Sequence, residues 1–309
     1  MTGVQTCALP IYQAGEVASK DACETITYCF SELVSEINEN EILKLEKDIP
    51  PAADLLVKSI RLANRSIYLR SRSNAALTGM GTTIVCAVFE DDFIHVAHVG
   101  DSRAYVMTDN ALTRLTIDHS WVSEMQASGQ MSEQKASELV AKNVITRALG
   151  VNEKTEIDIR SCRVEVGKTY IFCSDGLCGF ADDDEILLAA MHAKGDLDEI
   201  AKNLVRLAND HGGQDNVTIV VIRVDEVGEP STREPMDVIT LPKETDEALM
   251  EENKIVDEMI GLKNKSREEI TSEVQIKKKS SNLPLILIFI AFIVVARSEE
   301  HTSDSSHRL

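Results

Sequence analysis

Positive charge is scarce in this chain of 309 residues: 32 Lys and Arg stand against 51 Asp and Glu, a formal net charge of −19. Such a balance argues against a nucleic-acid phosphate backbone as partner and suits divalent cations. Paired cysteines are also missing. The seven that occur are odd in number, sit mostly in apolar runs and show no CxxC spacing, which favours reduced core thiols over zinc or disulfides and points to a cytosolic compartment. Met1–Ile11 lacks the basic opening of a signal peptide. There is no internal repeat, and no uncharged apolar run reaches the roughly 20 residues a spanning helix needs. Ser174 lacks the glycines of a nucleophile elbow and any nearby His, which disfavours covalent catalysis.

What is present suffices for a core, since 43% of residues are hydrophobic. Ala18, Ala22, Ile26, Phe30, Leu33 and Ile37 recur at helical spacing. A second helix is predicted with Asp48 as cap, Pro50 and Pro51 in its first turn, and Ala53, Leu56, Ile60, Ala63 and Ile67 on its buried stripe. After Gly79-Met80-Gly81 the period becomes that of strands: Thr82–Phe89, Phe93–Val99 and Arg103–Met107, joined by short acidic turns, read as an antiparallel meander. Trp121–Lys142 reads as a helical insert. Strands return at Ile157–Val164 and Lys168–Cys173, helices at Ile186–Ala193 and from Leu197 to Leu207, and a last core strand at Val217–Val224.

Three aspartates lie beside core strands: Asp101 in a strand-to-strand turn, Asp175 after one strand and Asp215 before another. If the last two strands pair antiparallel, the end of the first and the start of the second share one sheet edge; if parallel, the acids are separated. Carboxylates without nearby His or Cys select hard cations, Mg²⁺ or Mn²⁺, and Gly176 and Gly213 would allow tight turns beside a ligand. Asp before Gly is also ordinary turn chemistry, so each motif alone decides nothing. His95 and His98, three apart on a strand, point to opposite faces; His119 reads as structural and Arg103 as a salt-bridge partner.

Val99-Gly100-Asp101-Ser102-Arg103-Ala104-Tyr105, Thr116-Ile117-Asp118-His119-Ser120, Asn143 to Gly150, Ser174-Asp175-Gly176-Leu177 and Gly213-Gln214-Asp215-Asn216-Val217-Thr218 occur in order. Together they resemble the motif set of the bacterial metal-dependent serine/threonine protein phosphatases, the PPM family or type 2C, over Tyr12–Asp225. The resemblance implies an α+β sandwich of two packed antiparallel sheets flanked by helices. It also implies hydrolysis of phosphoserine and phosphothreonine by a water bridging two metals. Asp175 and Asp215 would match ligands of the metal centre, Asp101 the acid of a third metal, and Trp121–Lys142 the mobile flap that influences substrate access. Phosphorylated proteins, and a serine/threonine kinase among them, are the implied partners.

One departure stands beside the match. The family opens with a strand carrying a phosphate-binding Arg, then a strand ending in an Asp-Gly-x-Gly-Gly turn whose Asp bridges both metals. Here Met1–Ile11 stands in that place, with no strand or helix period, and resembles non-native adapter sequence, as does Arg297–Leu309. The domain is therefore expected to be incomplete at its amino end and the fragment inactive, the alternative being a regulatory pseudophosphatase that binds phosphoprotein without hydrolysis. Residues 226–282 read as an acidic linker, with some helix around Ala248–Leu262. Residues 283–296, behind Lys277-Lys278-Lys279, read as the start of a transmembrane helix anchoring a cytoplasmic domain to the bacterial plasma membrane.

Overall fold

Strand β2 (Ile84–Glu90) and strand β3 (Phe93–Val99) are buried along both faces, which requires a layer on each side of their sheet. A computed structural model, describing residues 4–7, 13–33, 49–108, 110–129 and 144–269, supplies those layers. One sheet has the order β2, β3, β6 (Ile157–Arg163), β9 (Met236–Leu241). The other runs β1 (Val4–Cys7), β8 (Thr218–Arg223), β7 (Thr169–Cys173), β4 (Arg103–Met107), β5 (Leu112–Arg114). Every pairing is antiparallel.

The helices form the outer layers. On the four-stranded sheet lie α1 (Gln13–Tyr28), continued by a π-helical turn Cys29–Leu33, and α2 (Pro51–Ser73). Pro51 opens α2, where a missing N–H costs nothing, and Ala53, Leu56, Ile60, Ala63 and Ile67 face the sheet as their spacing predicts. The five-stranded sheet is covered by α5 (Asp183–Met191) and α6 (Leu197–Asp210), which follow α3 (Trp121–Ala127) and the single turn α4 (Asp175–Cys178) in the chain. A capping box between Asp182 and Glu185 starts α5. Between the sheets, Val85, Ala87, Phe89, Ile94 and Val96 meet Ala104, Tyr170, Phe172, Ile222 and Val224. Residues of each strand thus alternate between an inter-sheet core and a helix-facing core.

Two regions depart from the sequence reading. Val4–Cys7, in a stretch read as having no strand period, pairs with β8 from Val4 opposite Val221 to Cys7 opposite Thr218. Its four residues are too few to show a period. The supposed acidic linker is built into the domain: β9 pairs with β6, and α7 (Asp246–Glu269) packs on α2. What conceals this in the sequence is the shortness of β9, exposed at Asp237 and Thr240, and the acidic surroundings of α7, where Asp246, Glu247 and Asp257 are exposed and Glu252 is buried. The proposed cap Asp48, the rest of the helical insert after Gly129, and the apolar run 283–296 lie outside the described residues. Among the described residues, no helix is long and apolar enough to cross a membrane.

Leu62 of α2 and Val256 of α7 pack in one apolar cluster, and charged groups surround it. Glu244 pairs with Arg61 at 3.6 Å, Arg65 bonds Glu153 at 2.8 Å and also Asn253, and Lys154 bonds Asp246 at 2.5 Å. Glu252, 1% exposed, lies within this group, and desolvation, helped by repulsion from Glu244, raises its pKa from 4.5 to about 7. Because the folded value is the higher one, its penalty is absent below pH 4.5, grows as the unfolded chain ionises, and is complete above about pH 7. Glu252→Gln should therefore match the parent in urea denaturation at pH 4 and exceed it increasingly up to pH 8.

Candidate functional site

The pairing of β7 with β8 decides where the acids meet. Cys173, the last residue of β7, lies opposite Ile219, and the ladder continues as Ser174 N–H donates to the Thr218 carbonyl at 3.1 Å. The Ser174 hydroxyl, fully buried, donates to the Asn216 carbonyl at 2.9 Å and accepts from the Thr218 amide at 3.0 Å. Asp175 and Asp215 each sit one residue beyond a member of this clasp. The antiparallel arrangement on which the metal-site idea depended is the one observed.

Asp101 joins the same edge from the other side. Arg103 lies opposite Cys173, so the β3–β4 turn, Gly100-Asp101-Ser102, runs beside the start of α4, and the Cys178 thiol reaches the Asp101 carbonyl at 3.8 Å. A hydrogen bond with Cys173 and burial both push the Cys178 thiol pKa well up, so it is a neutral packing group. Asp175 is half-buried, as is Asp215, while Asp101 is 9% exposed. No imidazole belongs to this trio, and its donor set suits Mg²⁺ or Mn²⁺.

Close packing holds the mouth of the clasp. A Cβ on Gly176 would run into the Asn216 carbonyl. Gly100, at φ +113, would put one into Thr83, whose hydroxyl bonds that of Ser102 at 2.9 Å. Arg103 forms a two-pronged pair with Asp118, its Nε at 2.9 Å and Nη2 at 2.6 Å, as its salt-bridge reading predicted. Tyr105 donates to Asp183 at 2.9 Å beside it.

A polar cluster that the sequence reading did not assemble lies behind the turn. His98 and Asp158 are direct cross-strand neighbours on β3 and β6, and the rings of His98 and His119 stack with centroids 4.5 Å apart. His119 Nε2 is 3.2 Å from Asp158, which also accepts from Arg147 at 2.9 Å. Burial lowers the His98 pKa to about 4, so it is neutral and donates from Nε2 to the Ile117 carbonyl at 2.7 Å. Burial pushes the Asp158 carboxyl up, but the hydrogen bond from His119 outweighs this and holds it at about 2. The strand pattern gave no signal of it: Asp158 alternates with core residues Ile157 and Ile159 as a solvent-facing residue would, yet it is only 5% exposed. His95 is separate, bonded to Ser161 at 2.7 Å on the opposite face.

The tight fit at Gly176 gives a test of this edge. Gly176→Ala should force the ends of β7 and β8 apart and cost about 1–3 kcal/mol in chemical denaturation, as overpacking of a close contact does.

Comparison with known proteins bears on the whole arrangement. The sequence profile described as Protein phosphatase 2C matches residues 25–217, more than half of the chain. The chain is 34% identical over 214 residues to a serine/threonine phosphatase stp of Listeria monocytogenes, covering 69% of this chain and 81% of that one. It is 34% identical over 181 residues to the serine/threonine protein phosphatase PstP of Mycobacterium tuberculosis, covering 57% of this chain and 34% of that longer protein. Among solved structures, the Mycobacterium tuberculosis phosphatase PstP/Ppp superposes with a TM-score of 0.60 at 27% identity, over 72% of this chain and 88% of that one. The catalytic domain of PstP in complex with two manganese ions gives 0.57 at 28% identity, over 72% and 87%. Profile, relatives and sandwich agree, and the chain belongs to the protein phosphatase 2C family of metal-dependent serine/threonine phosphatases.

Proposed function

We propose that Asp175, Asp215 and Asp101 are the metal ligands of a phosphoserine and phosphothreonine hydrolase, and that this chain retains only part of its site. The antiparallel clasp between Ser174 and Thr218, which delivers Asp175 and Asp215 to one edge, carries the reading. Three acids with hard oxygen donors fit Mg²⁺ or Mn²⁺, which when bound would neutralise phosphate charge and activate a water for in-line attack. The protein's share is positional. The buried Ser174 hydroxyl fixes the spacing of two acids, and the packed glycines let backbone approach the ligand. Arg103, already paired with Asp118, is left to hold the turn and not to bind phosphate.

The missing part is inferred from β1. Its end, Cys7, is registered on Thr218 at the acid edge, yet there is no Asp or Glu before Glu16. Where the family resemblance implies a bridging carboxylate, this chain has none. Fewer carboxylates mean weaker hold on two cations, and repulsion between the remaining acids is less well offset. The same observation supports the second reading, a pseudophosphatase that binds phosphoprotein without hydrolysis. Phosphorylated proteins are the inferred partners in either case, a serine/threonine kinase among them. The apolar run behind Lys277-Lys278-Lys279 supports a plasma-membrane anchor with the phosphatase domain on the cytoplasmic side.

With Mn²⁺ and a phosphothreonine peptide, the chain should show negligible turnover. Replacing residues 1–11 with a strand ending in Asp-Gly-x-Gly-Gly should raise turnover at least about 100-fold, and Asp175→Asn in that background should abolish the gain. Turnover by the unmodified chain that is lost in Asp175→Asn would refute its inactivity. Phosphopeptide binding with no gain from the replacement would favour the pseudophosphatase.

A further inference from the structure

The cluster behind the Asp101 turn invites a metal assignment, since ligand atoms of His98, His119 and Asp158 lie within 4.8 Å of one another. Its hydrogen bonds say otherwise. The Gly100 amide donates to His119 Nδ1 at 3.1 Å, so a neutral His119 carries its proton on Nε2 and directs it to Asp158. His98 spends its own Nε2–H on the Ile117 carbonyl. The cation beside Asp158 is already present as Arg147. With both His119 nitrogens committed, the cluster is a connection and not a metal site.

What it connects can be followed atom by atom. On one side, His119 grips the turn twice: Gly100 N–H donates to Nδ1, and the His119 amide donates to the Gly100 carbonyl at 2.9 Å. On another, it closes the neck of the segment beginning at α3. Thr146 N–H donates to the His119 carbonyl at 2.9 Å, Trp121 N–H to the Val144 carbonyl at 2.9 Å, and Ser120 bridges Ile145. Ser120 also caps α3 by accepting from the Ser123 amide. On the third side, Nε2 reaches Asp158 of β6, where Arg147, from the returning arm of the neck, is bound as well. One residue, 3% exposed, thus joins the three parts: its ring holds the Gly100 amide and Asp158, and its main chain holds the Gly100 carbonyl and the Thr146 amide of the neck.

We propose that His119 is a positioning residue that locks the Asp101 turn and the neck formed by residues 119–121 and 144–147 to Asp158 as one unit. Asp101 is then set in place by the same residue that sets the base of the following segment, each through its own hydrogen-bonding arm of His119. The assignment rests on the reading of Asp101 as a site residue for its significance, but its physical content needs neither metal nor phosphate.

Amide hydrogen exchange on the metal-free chain tests it. His119→Ala should speed exchange at Gly100, Trp121 and Thr146 by roughly tenfold or more, the effect of losing a buried hydrogen bond, while β7 and β8 amides stay protected. His119→Asn offers an acceptor where Nδ1 was but cannot reach Asp158. It should restore protection at Gly100 and leave Trp121 and Thr146 fast. Asp158→Asn should loosen the neck without passing Ala-like exchange to Gly100. Uniform acceleration of all amides, unchanged exchange at Gly100 in His119→Ala, or identical profiles for the Ala and Asn variants would overturn the proposal. If His119→Ala does not fold, His119→Asn against Asp158→Asn decides it: equal loss at Gly100 and the neck in both would contradict separate arms. Failure here would leave the phosphatase reading standing, and failure of that reading would leave these exchange patterns unchanged.

Discussion

Everything at the acid edge depends on one hydroxyl. Ser174 comes just after an apolar strand, and its side chain, with no access to solvent, adds two hydrogen bonds to the ladder bond that its own amide makes to Thr218. A buried hydroxyl left without partners would cost several kcal/mol in an apolar medium, so the geometry that satisfies it is strongly preferred. That geometry has Asn216 and Thr218 on one side and the first turn of α4 on the other. Two aspartates at the ends of different strands are brought to one edge by a neutral contact next to them.

Much of this arrangement was legible in the sequence because it rests on short-range signals. The bounds of β3 and β4 follow from apolar runs broken by Asp91-Asp92 and Gly100-Asp101-Ser102, and Asp91 takes the positive φ its turn demands. The relation of Asp175 to Asp215 reduced to whether two strands pair antiparallel, a question with two answers. What stayed hidden is non-local. Asp158 reads as a polar residue on an ordinary strand until β3 places His98 directly across from it. Glu244 and Glu252 read as solvated until Arg61 on α2 is found paired with the first and the second is found buried. In both places a charge is buried against a partner far away in sequence, and single-sequence patterning carries no record of that partner.

The two sheets divide the labour. The four-stranded sheet and its helices enclose the apolar contacts of Ile60, Ile67, Ile84 and Val99, each burying a side chain worth roughly 1.5–3 kcal/mol. The five-stranded sheet carries the acids where three strand ends converge. Polar residues penetrate the interface between sheets chiefly at that end, through His98, His119 and Asp158, so the stiffness of the packed sandwich reaches the loops by hydrogen bonds instead of apolar contact.

The place of β9 sets an order on the birth of the molecule. On a ribosome, β6 emerges with one edge already able to pair with β3, but its other edge must wait until the chain has passed from Arg163 to Met236. During that interval the nascent domain shows β6 as an open edge, the sort of edge that recruits foreign strands. The charged side chains of that strand, Arg163 with Asp92 already made and Arg160 waiting for Asp237, give it a water-loving border until its own partner is made.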